Sequence, residues 1–213
     1  MKFKVKVHQI SLIFGILVII TFCVFFLIAL ALFPNSLNPI DNWMSDAGNS
    51  SYNPKGAIFF NLGCILTGML LFPFYIGLYK LRSNNDWQKI LLKIIPIVGC
   101  FSAFVLIMVG VFSEDVWTVH IFWTNAYFLL NLGVMIGFTA ILFLNPKRIK
   151  LICYYGIAII IIDSIFLFLI VTPPPSEPAI IIIKILHFFE WFYVFTSLAY
   201  VGLFLYHIDK TNE

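Results

Sequence analysis

The sequence predicts an all-α polytopic membrane protein, a six-transmembrane-helix bundle with both termini cytoplasmic. Three observations predict it. Of 213 residues, 62% are hydrophobic and only 11% charged, where a soluble domain carries about 25% charge. Such a chain cannot hide its apolar surface from water, so lipid must be its solvent. Six apolar runs reach the roughly 20 residues a span needs, over residues 9–33, 57–80, 90–112, 117–144, 149–171 and 179–206. The third observation is charge placement. With six spans, Lys2, Lys4, Lys6, Lys80, Arg82, Lys89, Lys93, Lys147, Arg148, Lys150 and Lys210 fall on one side, and only Lys55 and Lys184 at or near the other. Cytoplasmic loops are enriched in Lys and Arg. The expected setting is the cell membrane, with residues 1–213 as one membrane domain. The net charge of +3 is then a topology signal and no nucleic-acid patch. No phosphate loop or nucleotide fingerprint is present, so membrane lipids are the expected partners, and no cofactor is expected.

The first span has a basic start, and its Ala29-Leu30-Ala31 resembles a cleavage site. Its apolar run of about 24 residues far exceeds the 7–15 of a signal peptide, so a retained helix is expected. Pro34 and Pro39 end it, because proline cannot continue a helix. The loop that follows, Asp41–Asn61, is the longest polar run in the chain. It contains Trp43, suited to a membrane interface, and Asn49-Ser50-Ser51, an N-glycosylation pattern.

The second span carries Gly56, Asn61, Gly63, Thr67 and Gly68, small and polar residues suited to close helix packing. Pro73 is placed to kink it. The third span contains Pro96 and runs out to the acids Glu114 and Asp115. His120 opens the fourth, which adds Asn125 and Asn131. The fifth holds Asp163. The proline-rich link over 173–178 reads as stiff and short. The sixth holds Lys184, His187, Glu190 and Trp191. Cys23, Cys64, Cys100 and Cys153 all fall inside spans and read as small apolar residues.

Charged groups in a span are costly, at least about 2.5–3.5 kcal/mol near the centre, and so need partners or a wet cavity. Depths follow from a rise of about 1.5 Å per residue through a core about 30 Å thick. Counted from the outer end, His120 lies about 5 Å down, Lys184 about 8, Asp163 about 9, Asn125 and His187 about 12, and Glu190 about 16. Asp163 and Lys184, at similar depth on consecutive helices, are expected to form a structural ion pair. Ser45, Asp46, Asn61, Asp115, His120, Asn125, His187 and Glu190 are expected to form a pocket open to the outer side. The inner half is expected to hold no comparable polar set. His120, His187, Glu190 and a loop acid are ligand types that zinc accepts. They lack any tight metal-binding spacing, so no metal is expected.

Three landmarks, in order, carry a family resemblance. They are Ser45-Asp46-Ala47-Gly48 with Asn53-Pro54, then VGVFSEDVWTVH ending at His120, then Glu190-Trp191 in the last span. The chain resembles the six-span Frag/DRAM/Sfk family, and most closely its prokaryotic look-alikes of unknown function. It departs from the eukaryotic pattern at Pro54-Lys55, where that pattern tends to Pro-Glu. The resemblance implies a membrane protein that deals with lipids. The expected function is recognition or handling of a lipid head group in an outer-leaflet pocket. One alternative is an intramembrane lipid hydrolase or transferase, with Asp46, His120 and Glu190 as candidate catalytic groups; a metal could assist it. A weaker alternative is a small transporter.

Overall fold

The computed structural model describes residues 7–79, 81, 83, 85–172 and 180–212. The 173–178 link and the lysines and arginine at 2, 4, 6, 80 and 82 lie outside them. Six helices result: α1 Val7–Ala31, α2 Ala57–Tyr79, α3 Asp86–Val111, α4 Trp117–Leu144, α5 Lys150–Val171 and α6 Ile180–Asn212. All six are long and apolar enough to cross a membrane, and no strand occurs among the described residues. In hydrocarbon each backbone N–H and C=O needs an internal partner, and a helix supplies one along its own length.

Helices adjacent in sequence are neighbours in space, and α1 closes the ring against α6. Leu27, Ile58, Phe101, Phe122, Leu129 and Phe168 point outward and are exposed in the isolated protein. The interior is aromatic. Phe138 stacks on Phe204 at 4.1 Å between α4 and α6, and Phe26 meets Trp191 edge-on at 5.3 Å between α1 and α6. Close approach of α2 and α3 depends on Gly68, where a Cβ would come within 2.7 Å of the Ala103 carbonyl. The glycine packing expected of the second span is therefore real at this position.

The polar loop does not lie over the bundle as a lid. It folds into the mouth of the ring. A single 3-10 turn, Ser45–Gly48, is buried throughout. Asn53, wholly buried, pins it there. Its Nδ2 donates to the carbonyls of Ala29 and Ala47, both at 3.0 Å, and its Oδ1 accepts from Gly56 N at 3.0 Å. One side chain thus joins the end of α1, the turn and the start of α2. The end of the bundle that holds this loop is called the loop end below. Lys89, Lys93, Lys147, Arg148, Lys150 and Lys210 belong to the opposite end.

Candidate functional site

The face of α6 nearest the loop end carries Lys184, His187, Glu190 and Trp191. Spacings of three and four residues put them on one side of the helix. All four bind the loop. Lys184 Nζ reaches Asp41 Oδ1 at 2.7 Å. His187 Nδ1 lies 3.2 Å from the Ile40 carbonyl, and its ring meets Trp43 edge-on at 4.5 Å. Met44 N donates to Glu190 Oε2 at 2.6 Å. Trp191 Nε1 donates to the Asn42 carbonyl at 3.0 Å. The segment leading into the buried turn is therefore stitched to α6, three of the four contacts being made to its backbone.

The turn divides two spaces. Above it is a basin of about 980 Å³, lined by Asp41, Asp46, Glu114 and His187 with Phe33, Trp43, Tyr52 and Trp117. Below it is a narrow cavity of about 70 Å³ along the bundle axis. Its loop-end wall contains Ser45, His120, Thr124 and Glu190. Farther down it passes Cys64, Thr67, Asn131 and Ser197 to Tyr75, Met135 and Val201, through otherwise apolar surface. Glu190 to Val201 along α6 spans about 16 Å at about 1.5 Å per residue.

Three polar atoms on the cavity wall are buried without a hydrogen-bond partner: His120 Nε2, Thr67 Oγ1 and Thr124 Oγ1. His120 is only 3% exposed. Its Nδ1 lies 2.8 Å from the Phe112 carbonyl, which fixes the ring, and Nε2 is left without a partner. An orphaned buried polar atom costs roughly 1–3 kcal/mol.

The expected pocket residues divide into groups. Ser45, His120 and Glu190 meet at the cavity. Asp46 and His187 line the basin instead. Asn61 and Asp115 brace the loop: Asn61 Nδ2 donates to the Gly48 carbonyl at 3.0 Å, and Asp115 Oδ1 accepts from Ser50 N at 2.9 Å and Ser50 Oγ at 2.8 Å. Asn125 is half-buried and is not part of the cavity wall. His120 and His187 face different spaces, which removes the zinc set considered from the sequence. No group of three His, Cys, Asp or Glu among the described residues is placed to hold a metal ion.

The Asp163–Lys184 ion pair is a correction. Lys184 pairs with Asp41, and its ammonium holds the Asp41 carboxyl below the usual carboxylate range. Asp163 is wholly buried on α5, with neither oxygen hydrogen-bonded, in the neighbourhood of Tyr127, Tyr155 and Tyr193. Phe166, three residues from Asp163, packs on Phe189 and Tyr193, so Asp163 sits level with a part of α6 about 13 Å from Lys184, and the equal depth counted from the sequence is not kept. The half away from the loop is also less bare than expected. Asn131 Nδ2 donates to Tyr193 Oη and Ser197 Oγ at 3.3 and 3.2 Å, Thr139 Oγ1 and Tyr200 Oη are 2.6 Å apart, and Gln88 Nε2 donates to the Ile141 carbonyl at 3.1 Å. These pairs cross between helices, as polar groups in membrane bundles do.

Sequence reasoning missed Glu114, Thr67, Thr124 and the loop bond of Trp191 as site residues. Glu114 is buried in the basin wall beside Asp46 and Asn49. Its position next to Asp115 was the available signal, because neighbouring residues in a tight turn point apart.

A ring of six apolar helices around an axial cavity, closed by a docked loop, defines a multi-pass membrane protein. The chain belongs to the DUF998 family, described as a protein family of unknown function, whose model matches residues 16–205. No curated protein and no solved structure matches it.

Proposed function

We propose that the protein binds a membrane amphiphile. Its polar head group is held at Ser45, His120 and Glu190, and its hydrocarbon tail runs down the axial cavity. The loop end faces outward and both termini are cytoplasmic, in keeping with the lysines and arginines gathered at the opposite end. The supporting observation is the cavity wall: apolar along its length, with His120, Thr67 and Thr124 among its residues, each keeping a buried polar atom without a hydrogen-bond partner. A ligand with polar atoms at one end satisfies that wall, and an apolar tail fits the remainder. The resemblance to the Frag/DRAM/Sfk family points the same way. Its landmarks, Ser45-Asp46-Ala47-Gly48, His120 and Glu190-Trp191, are the residues that meet around the turn.

Native mass spectrometry of protein purified in mild detergent tests this. The wild type is expected to carry one lipid in near-stoichiometric amount, and His120→Leu and the cavity-filling Val194→Phe to lose most of it. A wild type free of lipid, or a Val194→Phe variant that keeps it, overturns the proposal.

A lipid hydrolase or transferase is a second reading, favoured by the free Nε2 of His120 on the same wall as Glu190. Geometry of this kind suits proton transfer to a bound head group. Product formation from lipid vesicles by the wild type, lost in His120→Ala, would support it; bound lipid recovered unchanged would leave binding alone.

A further inference from the structure

A second space, on the membrane side of the ring, ends at the residue that walls the lower cavity. It is a groove of about 550 Å³ between α2 and α3, lined entirely by apolar and aromatic groups that include Phe72, Ile76, Pro96, Cys100 and Phe101. Pro73 in α2 and Pro96 in α3 belong to this part of the two helices. A proline inside a helix removes one backbone donor and pushes its ring against the preceding turn. Both walls of the groove are thus interrupted where it forms.

Tyr75 lines both the groove and the axial cavity. It is only 2% exposed, and its ring lies against Gly99, where a Cβ would collide with it. One side chain therefore separates the two spaces. Side chains change between discrete rotamers, so a swing of this ring joins cavity and groove without moving a helix. The cavity alone offers about 16 Å along α6. A longer tail, with its head at Glu190 and His120, can continue in this direction, since the buried turn occupies the other end.

We infer that the α2–α3 groove is the far part of the same site and takes the end of a hydrocarbon tail longer than the axial cavity, with Tyr75 as the side chain that turns aside to admit it. The ligand class is then a long-chain lipid whose tail re-enters the bilayer between α2 and α3. This rests on the amphiphile reading of the cavity.

Three cysteines report on it. Cys64 lines the cavity, Cys100 lines the groove, and Cys153 is buried on α5 as a measure of folding. Protein in lipid nanodiscs is treated with the apolar reagent N-phenylmaleimide, and labelling of each thiol is followed by mass spectrometry. Wild-type Cys64 is expected to label slowly and Cys100 faster. Tyr75→Ala should raise the Cys64 rate about tenfold, as an opened local path does, with Cys153 unchanged. Gly99→Ala, which displaces the ring from its seat, should act in the same direction. Unchanged Cys64 labelling in both variants overturns the inference. If Tyr75→Ala also exposes Cys153, that variant has unfolded and Gly99→Ala decides. The two readings fail separately. Faster Cys64 labelling in the variants with no lipid on the wild type keeps the passage and removes the lipid. Bound lipid with unchanged Cys64 labelling keeps the lipid and removes the passage.

Discussion

The basin above the Ser45–Gly48 turn and the cavity below it share one wall and differ in how their polar groups are held. In the basin, Asp41 pairs with Lys184, Asp46 accepts from Asn42 Nδ2 at 3.2 Å, and His187 is bound to the loop backbone. The space is wide and open to solvent. In the cavity wall, Glu190 is engaged by Met44 N, but His120, Thr67 and Thr124 each keep a buried atom unpaired. Polarity that faces solvent costs little. A buried polar atom without a partner costs roughly 1–3 kcal/mol. The basin has one such group, Glu114, buried in its wall with Oε2 unpaired; the cavity wall has three, which fits the ligand proposed for the lower space.

Four substitutions test this contrast, in falling order of effect. Asn53→Ala removes three hydrogen bonds that seat the turn. At about 1 kcal/mol each it should lose about 3 kcal/mol, and at 2–4 °C per kcal/mol for a chain of this size the melting temperature should fall by about 6–12 °C. A melt in mild detergent measures this; a shift under about 2 °C would mean the turn is held by something else. Glu190→Ala leaves Met44 N–H unpaired, a loss of about 2 kcal/mol, and should merge the two spaces, so that a water-soluble maleimide now reaches Cys64. Unaltered Cys64 protection would show that Glu190 does not keep the spaces apart.

His120→Leu separates binding from stability. It gives up the bond to the Phe112 carbonyl but also removes the orphaned Nε2, so stability should change by about 1 kcal/mol or less while bound lipid falls sharply. Equal loss of both would reduce His120 to a structural role. Lys184→Met should have the smallest effect, because an exposed pair is screened by water and salt. Lys184 holds the Asp41 carboxyl below its ordinary value, so the pair contributes above the unfolded-state value and the contribution is lost as pH falls through the lowered one. The difference between wild type and Lys184→Met should be present near pH 7 and gone near pH 2. A difference that persists in acid would place Lys184 on another partner.

The helices were legible in the sequence because hydropathy alone decides what can cross a bilayer. The depth count set His120 and Glu190 about 11 Å apart, whereas the structure brings both to the loop-end wall of the cavity with Ser45. Direction around each helix axis was not legible. His120 and His187 share an end of the bundle and face different spaces, and Asp163 and Lys184, counted to one depth, stand at different levels. The loop was the other hidden variable. Glu190 meets a backbone N–H 146 residues earlier in the chain, a partner without a side-chain signature, and Asn53, noted only within a family landmark, is the pin of the turn. Asp115 looked like a pocket acid for want of any sign that Ser50 would fold back onto it.

The distance in sequence between Met44 and Glu190 has a consequence for how the protein is made. The ribosome delivers the loop before α2 and delivers its clasp on α6 last. Until α6 inserts, the carbonyls of Ile40 and Asn42 and the amide of Met44 have no permanent partners, and the axial chamber has neither its roof latch nor one of its walls. Asn53 can seat the turn early, since its partners are all within residues 29–56, but the chamber is sealed only on arrival of the final helix. A chain arrested or cleaved before residue 180 would lack the clasp and carry an unlatched loop, which limited proteolysis would distinguish from the finished molecule.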